Sequence, residues 1–382
     1  MKLIAQVKLQ TTPEQAAALK QTMIEANRAC DYISSVAWEL KTFGQYQLHH
    51  LVYKDVRTQF DLSAQVVVRC IAKVADAYKL DKRRQRKFKP LGAITYDDRI
   101  LSWQMTQSQI SIWTVKGRIK IPFVCGERQL ELLKTRQGES DLVFFRDQFY
   151  VSATCHIEEP QRIQGKGVLG IDLGVVNIAV DSDGHTYSGK MINNVRHRHR
   201  RLRTKLQKKG TRSAKRLLKK LSGKEARFAR QVNHTISKQV VKLAQDTRRD
   251  IAVEDLGGIR QRITVRRDQR ATLHSWSFYQ LRAFLEYKSQ LAGVNLIAVD
   301  PRNTSRTCPV CGCVDKLNRP SQSTFSCVSC GFSGFADHIA ARNIAGRAVV
   351  NPPNVARDEA KAVGMFLVSA ELRQSAVTSQ PL

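Results

Sequence analysis

The chain has 382 residues, 42% of them hydrophobic, and carries 63 Lys and Arg against 33 Asp and Glu, for a formal net charge of +30. At roughly 150 residues per domain this length allows two or three domains with their own cores. No apolar run approaches the roughly 20 residues a membrane-spanning helix needs, and the polar start Met1 to Val7 does not read as a signal peptide. The cation excess points to a polyanionic partner, nucleic acid before anionic membrane, so the expectation is a soluble cytoplasmic protein with no membrane partner.

Lys2 to Leu9 alternates like a strand. Thr12-Pro-Glu-Gln15 then opens a helix, with Thr12 as N-cap, Pro13 in the first turn and Gln15 completing a capping box. Ala16, Leu19, Met23, Ala26, Ala29 and Ile33 follow helical spacing. A second helical region begins near Leu48, and a third follows the cap-like Ser63 through Val66, Cys70, Val74 and Tyr78. The block ends in Lys82 to Pro90, six cations in nine residues with no acid among them. Such a run reads either as a solvated helix end or as a phosphate contact, with Lys82, Arg83, Arg84, Arg86 and Lys87 as the candidates.

From Ala93 to Ile157 the pattern becomes β. Short strands are expected at 100–103, 109–114, 117–122, 141–145 and 148–154, with a tight hairpin turn at Arg146-Asp-Gln148. Together they suggest a small barrel. The orphan strand Lys2 to Leu9 is expected to join it, which makes the helical block an insertion.

A polar linker at 158–166 precedes Val168 to Ile171, a buried strand ending on Asp172. A second strand, Asn177 to Val180, follows Gly174 and ends in the turn Asp181-Ser-Asp-Gly184, and a third covers His185 to Ser188. An acid at the end of a buried strand is costly unless it is paired or binds a cation; alone, Asp172 reads equally well as a turn cap. Between Arg196 and Arg249 there are 20 Lys and Arg against two acids, Glu225 and Asp246. Gly210 and Gly223 suggest two or three helices there, with Leu202, Leu206, Leu217, Leu218 and Leu221 as a thin packing stripe. So basic a segment would repel itself without a polyanion, and Arg198, Arg201, Lys205, Lys208 and Lys209 are its candidate contacts.

Ile251 to Val253 is another buried strand, with Glu254 at its end. Arg260 to Arg270 is a basic loop with five Arg, among them the candidates Arg266 and Arg267. An amphipathic helix capped by Ser275 or Ser277 runs to about Ala292, where Gly293 stops it; its aromatic face reads as core rather than as a base-stacking platform. A buried strand at 294–301 follows. A short helix begins at Asp337 and is stopped by Gly346, and beyond Asn351 the chain reads as a mostly disordered tail.

Of the nine cysteines, Cys30, Cys70, Cys125 and Cys155 are isolated in apolar surroundings and read as buried thiols. Cys308-Pro-Val-Cys311 and Cys327-Val-Ser-Cys330 form CxxC-x15-CxxC, two knuckles with Gly312 and Gly331 allowing the turns. Four thiolates make a closed tetrahedral site, so one structural Zn²⁺ is expected at Cys308, Cys311, Cys327 and Cys330, with Cys313 as a spare.

Asp172, Glu254 and Asp337 form a second constellation. In a ribonuclease-H-like fold the first and fourth strands are neighbours and the last helix packs over them, which would bring the three acids together. Converging carboxylates suit Mg²⁺ or Mn²⁺, and two such ions suit phosphodiester hydrolysis. Singly, each acid reads as a cap or a strand-end pair. Asp181, Asp183, Asp255 and Asp300 are assigned to turns and strand ends.

Gly170 to Asn177, Val253 to Leu256, Trp276 to Arg282, Glu286 to Lys288, Thr304 to Gly312 and Ala336 to Ile344 closely resemble the motifs of TnpB proteins of insertion sequences, which are themselves similar to compact type V CRISPR effectors. The motifs cover residues 168–346; the N-terminal half matches in layout. The resemblance implies a multidomain α/β protein. A wedge-like β-barrel would occupy 1–10 and 91–160, and a helical recognition lobe 11–90. A RuvC-like, ribonuclease-H-like nuclease domain would cover 161–301 and 336–350, with a zinc ribbon insertion at 302–335 and the tail at 351–382. It further implies an RNA-guided DNA endonuclease of a transposable element. Asp172, Glu254 and Asp337 would hold two Mg²⁺ ions and carry catalysis. The partners would be a guide RNA derived from the transposon end and double-stranded target DNA beside a short transposon-adjacent motif. One position departs: the family usually has Asn two residues after the last acid, and here Ile339 stands there. An RNA-guided DNA-binding regulator with weak or no cleavage is the alternative that this departure favours.

Overall fold

The computed structural model describes residues 1–256 and 278–350, and the chain divides into two compact units, Met1–Glu158 and Glu159–Leu382. The expected cap at Ser275 or Ser277, the basic loop 260–270 with Arg266 and Arg267, and the tail 351–382 lie outside the described residues.

The first unit combines three helices with a curled sheet. Strand β1 (Lys2–Leu9) leads into α1 (Pro13–Glu39), α2 (Gln45–Gln59) and α3 (Ala64–Leu80). The capping box forms: the Gln15 N–H donates to Thr12 Oγ1 at 3.2 Å, and the Thr12 N–H donates to Gln15 Oε1 at 3.0 Å. Ser63 occupies the N-cap position of α3 but makes no capping hydrogen bond with its side chain. Strands β2 (Ile94–Tyr96), β3 (Leu101–Gln104), β4 (Gln109–Thr114), β5 (Gly117–Val124), β6 (Arg136–Phe145) and β7 (Gln148–His156) follow, with a short helix α4 (Glu127–Leu133) that the sequence pattern did not announce. The order is β2-β6-β7-β1-β5-β4-β3. Strand β1 thus sits mid-sheet between β7 and β5, and the two edge strands are consecutive in sequence, which curls the sheet towards closure. Arg146 and Asp147 turn the β6–β7 hairpin with φ of 52° and 58°, the left-handed backbone region that suits a two-residue loop between right-twisted strands. One core runs from Leu19, Met23 and Ile33 of α1 through Val67 and Val74 of α3 to Val7, Ile112 and Val151 of the sheet. Cys30, Cys70 and Cys155 are buried there; Cys125 is only partly covered.

The second unit is built on β8 (Val168–Asp172), β9 (Asn177–Asp181), β10 (Thr186–Ser188), β11 (Asp250–Glu254) and β12 (Leu296–Val299), in the order β10-β9-β8-β11-β12. The first and fourth strands of this sheet, β8 and β11, are adjacent and parallel, with Gly170 opposite Ala252. Alternation divides their side chains between two faces. Leu169, Ile171, Ile251 and Val253 pack against α6 (Arg212–Asp246) and α7 (Phe278–Leu291). Gly170 and Ala252 turn to the other face, which α8 (Ala336–Val350) covers. Gly170 is required for that approach, because a Cβ there would lie 2.0 Å from the Ala341 carbonyl oxygen.

The basic segment forms α5 (Lys190–Lys209) and α6, with Gly210 as a left-handed C-cap. Gly223 does not interrupt α6. A mid-helix Gly costs about 1 kcal/mol, and packing offsets it: Leu218 and Leu221 join Leu202 and Leu206 of α5, while Ile236 and Val240 enter the sheet core. Leu217, assigned to the stripe, is instead exposed. Gly346 likewise fails to stop α8, because Ile344 and Ala348 on either side are both buried against β11 and β12. In α7, Leu281 and Leu285 are core, and Phe284 stacks on His234 of α6 at 3.9 Å between ring centres. A two-stranded ribbon, β13 (Thr324–Ser326) with β14 (Ser333–Phe335), precedes α8. Among the described residues no helix is long and apolar enough to cross a membrane.

Candidate active site and cysteine cluster

The alternation that sends Gly170 and Ala252 towards α8 also sends Asp172 and Glu254 there, two residues on, at the C-terminal ends of adjacent parallel strands. Asp337 is the second residue of α8. The three acids line one cleft together with Val176, Thr304 and Arg319.

Burial, and then the charges of Glu254 and Asp337, push the Asp172 carboxyl up to about 8, against an opposing pull from Arg319. Burial also raises Glu254, opposed by the Thr304 hydroxyl, Arg347 and Arg319. Thr304 donates to Glu254 Oε1, and the Asn343 amide holds the loop by donating to the carbonyls of Thr304 and Thr307 at 2.8 and 2.7 Å. Asp337 receives the Asn177 amide on Oδ2 at 3.1 Å and faces Arg319 Nη2 at 3.4 Å from Oδ1. A cleft in which two neighbouring carboxylates raise the proton affinity of a third is short of positive charge, and an oxygen-only donor set of this kind fits hard divalent cations.

Asn177, Thr304 and Arg319 were not singled out from the sequence as site residues. Asn177 and Thr304 lie inside the motifs that carry the family resemblance, which was their only signal; Arg319 had none. The other acids serve locally. Asp181 accepts the backbone N–H groups of Asp183 and His185, Asp183 pairs with Arg249, and Asp255 pairs with Arg282. Ile339 points away from the cleft and is buried with Cys308, Phe325, Cys327 and Ala336.

The sulfurs of Cys308, Cys311, Cys327 and Cys330 lie within 4.8 Å of one another, with Cys308 to Cys330 at 3.6 Å and Cys311 to Cys327 at 3.5 Å. Tetrahedral bonds of about 2.3 Å place sulfurs roughly 3.8 Å apart, so the set fits a single tetrahedral ion. Each knuckle closes on a glycine of φ 73°, Gly312 or Gly331, whose N–H donates to the carbonyl of Cys308 or Cys327. The backbone N–H of Cys330 lowers the Cys327 thiol to about 6. Cys313 is outside the set; its carbonyl accepts from the Asn318 amide at 3.1 Å, while Asn318 Oδ1 accepts the Val328 N–H at 2.9 Å and so links the knuckles.

Of the basic candidates, Lys82, Arg83, Arg84 and Lys87 are exposed, as are Arg198, Arg201, Lys205, Lys208 and Lys209. Arg86 differs. It is half-buried, donates to the Asp81 carbonyl at 3.1 Å and pairs with the Asp81 carboxylate. Asp81 immediately precedes the run and also lies 3.8 and 3.6 Å from Arg83 and Arg84, so the run is partly offset by an acid that the segment boundary hid. Glu225 pairs with Arg203 and lies 3.5 Å from the buried His199, tying α5 to α6.

Residues 151–258 match the family described as "Probable transposase", and residues 278–344 match the Cas12f1-like TNB domain. The endodeoxyribonuclease Cas12f1 of Sulfoacidibacillus thermotolerans is 31% identical over 218 residues, 52% of this chain and 50% of that protein. The TnpB-like protein MJ0751 of Methanocaldococcus jannaschii is 30% identical over 189 residues, 46% of this chain and 67% of that protein. The chain thus spans half to two thirds of the length of these relatives. Among solved structures, a Cas12f1-sgRNA-target DNA complex aligns with a TM-score of 0.61 at 14% identity, covering 89% of this chain and 83% of that one. The mini RNA-guided endonuclease CRISPR-Cas phi3 aligns with a TM-score of 0.60 at 12% identity, covering 92% and 93%. At those identities the alignments speak for the fold, a multidomain α/β architecture. With acid-bearing strands, cysteine knuckles and matched segments in one order along the chain, and a TnpB-like relative aligned over two thirds of its own length, this chain belongs to the TnpB family.

Proposed function

We infer that the second unit is a RuvC-like, ribonuclease-H-like nuclease domain with a zinc ribbon inserted before its last helix, and that the chain is an RNA-guided DNA endonuclease of a transposable element. The observation that carries this reading is the cleft of Asp172, Glu254 and Asp337, in which burial and mutual repulsion raise the proton affinity of Asp172. Two Mg²⁺ or Mn²⁺ ions bound there would activate a water and stabilise the leaving oxygen of a phosphodiester. Asp172, Glu254 and Asp337 bind, Thr304 holds Glu254 in place, and Arg319 brings a cation to the rim that suits a phosphate oxygen. The four cysteines hold one structural Zn²⁺, which leaves no open position for chemistry.

Guide RNA and double-stranded target DNA are the proposed partners, supported by the +30 charge, by the exposed cations of α5 and α6, and by the fold shared with Cas12f1 in a complex with sgRNA and target DNA. Base pairing would read the sequence while the protein reads RNA shape and a short transposon-adjacent motif. The work would take place in the cytoplasm. Wedge-like barrel, helical recognition lobe and nuclease domain are the proposed roles of 1–10 with 91–160, of 11–90, and of 161–301 with 336–350. The burial of Ile339 with the cysteine cluster and the amide that Asn177 supplies to Asp337 support this reading over the alternative of a regulator with weak or no cleavage.

The test is to purify the protein, sequence any RNA that accompanies it, and assay matched DNA with Mg²⁺ against an Asp172→Ala control. Specific RNA with Asp172-dependent cutting is expected. Specific RNA without cutting would leave only a guided binder, and the absence of specific RNA would refute RNA guidance.

A further inference from the structure

Two donors reach Asp337, and they differ in kind. Arg319 brings positive charge, which opposes a metal cation, and its Nη2 also donates to the Gln322 carbonyl at 2.9 Å. Asn177 brings a neutral amide, which orients the carboxylate without subtracting from the charge that attracts a cation. A carboxylate offers about four lone-pair directions, so the oxygen that accepts from Asn177 keeps one for another partner.

Asn177 is itself firmly held. It opens β9 directly after the turn that follows Asp172. The Gly174 N–H donates to the Ile178 carbonyl at 3.3 Å, and the Gly189 N–H donates to the Val176 carbonyl at 2.8 Å. The Asn193 amide of α5 donates to the Val175 carbonyl at 3.0 Å. A Cβ on Gly174 would lie 2.5 Å from the Asn177 carbonyl oxygen, so only glycine allows this turn to close. One hairpin therefore supplies both Asp172 and the amide that grips Asp337, 160 residues away.

We propose that Asn177 is a positioning residue for Asp337 that sets the affinity of the acid cleft for divalent ions. This rests on reading the cleft as a metal site. Partners of this kind to metal-ligating side chains contribute roughly 10–100-fold in metal affinity, because an unheld carboxylate must be ordered when the ion binds.

Mn²⁺ binding to the full-length, zinc-loaded protein, followed by the electron paramagnetic resonance signal of free Mn²⁺, tests this without any cleavage assay. Asn177→Leu keeps the volume and removes the amide; Asn177→Ser, smaller and polar, carries the test if the Leu variant unfolds. Affinity is expected to fall about 10–100-fold, with circular dichroism and zinc content unchanged. In an Asp337→Asn background the same change is expected to alter binding by less than about twofold, since the two effects share one contact. An isotherm that Asn177→Leu leaves unchanged, or a loss of equal size in the Asp337→Asn background, overturns the proposal while the metal reading of the cleft stands. Wild-type protein that takes up no Mn²⁺, or a variant Asp172→Asn that takes it up equally well, overturns that reading and this proposal with it.

Discussion

Replacing Asp172 with Asn removes a charge and almost nothing else, and in the absence of divalent ions it should stabilise the protein at alkaline pH. The Asp172 carboxyl is raised from an ordinary 3.8 to about 8 by burial, then by Glu254 and Asp337. A folded pKa above the unfolded one means that the fold holds the proton more tightly, so stability is highest below about pH 4, falls as pH rises through the window between about 4 and 8, and is lowest above it. For a sealed site the gap corresponds to about 6 kcal/mol. Asp172 is only partly covered where it faces the cleft, and water there screens the repulsion to about 2–3 kcal/mol. Urea unfolding of zinc-loaded protein in Mg²⁺-free buffer, followed by far-ultraviolet circular dichroism, measures this. The wild type should lose stability between about pH 4 and pH 8, the Asn variant should show a flatter profile, and the variant should be the more stable by about 2–3 kcal/mol at the alkaline end. Mg²⁺ at 100 times its dissociation constant should bring the two level, adding about 2–3 kcal/mol to the wild type and little to the variant. A variant less stable than wild type at about pH 9 without Mg²⁺, or equal pH profiles, would refute the reading that burial and its acidic neighbours raise the Asp172 carboxyl.

Gly170→Ala should destabilise the second unit by about 3 kcal/mol or more, since its new methyl group must displace the α8 backbone; a thermal midpoint equal to wild type would contradict the close packing of α8 on β8. Ile339→Asn, although it introduces the residue usual at that position, should lower stability by about 2–4 kcal/mol by burying an amide among the ribbon's apolar side chains, and a gain in Mg²⁺ affinity would argue against the assignment of that role to Asn177. Lys205→Glu and Lys208→Glu should weaken RNA binding and reduce the slope of log affinity against log salt by about 0.7–0.9 per lost phosphate contact, whereas Arg86→Ala should leave that slope alone and lower the stability of the first unit. Cys327→Ser should abolish zinc retention, measurable by elemental analysis, and reduce Mg²⁺ affinity as well, because Thr304, which holds Glu254, belongs to the same ribbon segment.

Most elements were legible because their signals are local. The capping box of α1, the alternation of β1 and β7 and the CxxC spacing each need only neighbouring residues, and each appears where the pattern put it. The misreadings share one cause. Gly223 and Gly346 look like helix stops, but a stop of about 1 kcal/mol loses to side chains buried on both sides of it. Leu217 satisfies the helical stripe, yet it is exposed because the stripe's neighbours already fill the α5–α6 contact.

The sequence by itself determined which residues could do chemistry: three acids on separated segments, four cysteines at ribbon spacing, and a cation excess too large for a core to absorb. Only the tertiary structure decided how they meet. Parallel pairing of β8 with β11 sends Asp172 and Glu254 to one face, the bare Cα of Gly170 lets α8 carry Asp337 over them, and the hairpin turn at Gly174 brings in Asn177. It also turned Ile339 into the ribbon and Arg86 onto Asp81. Those outcomes depend on which distant segment occupies the space beside each residue, and a period or a spacing along the chain carries no information about that neighbour.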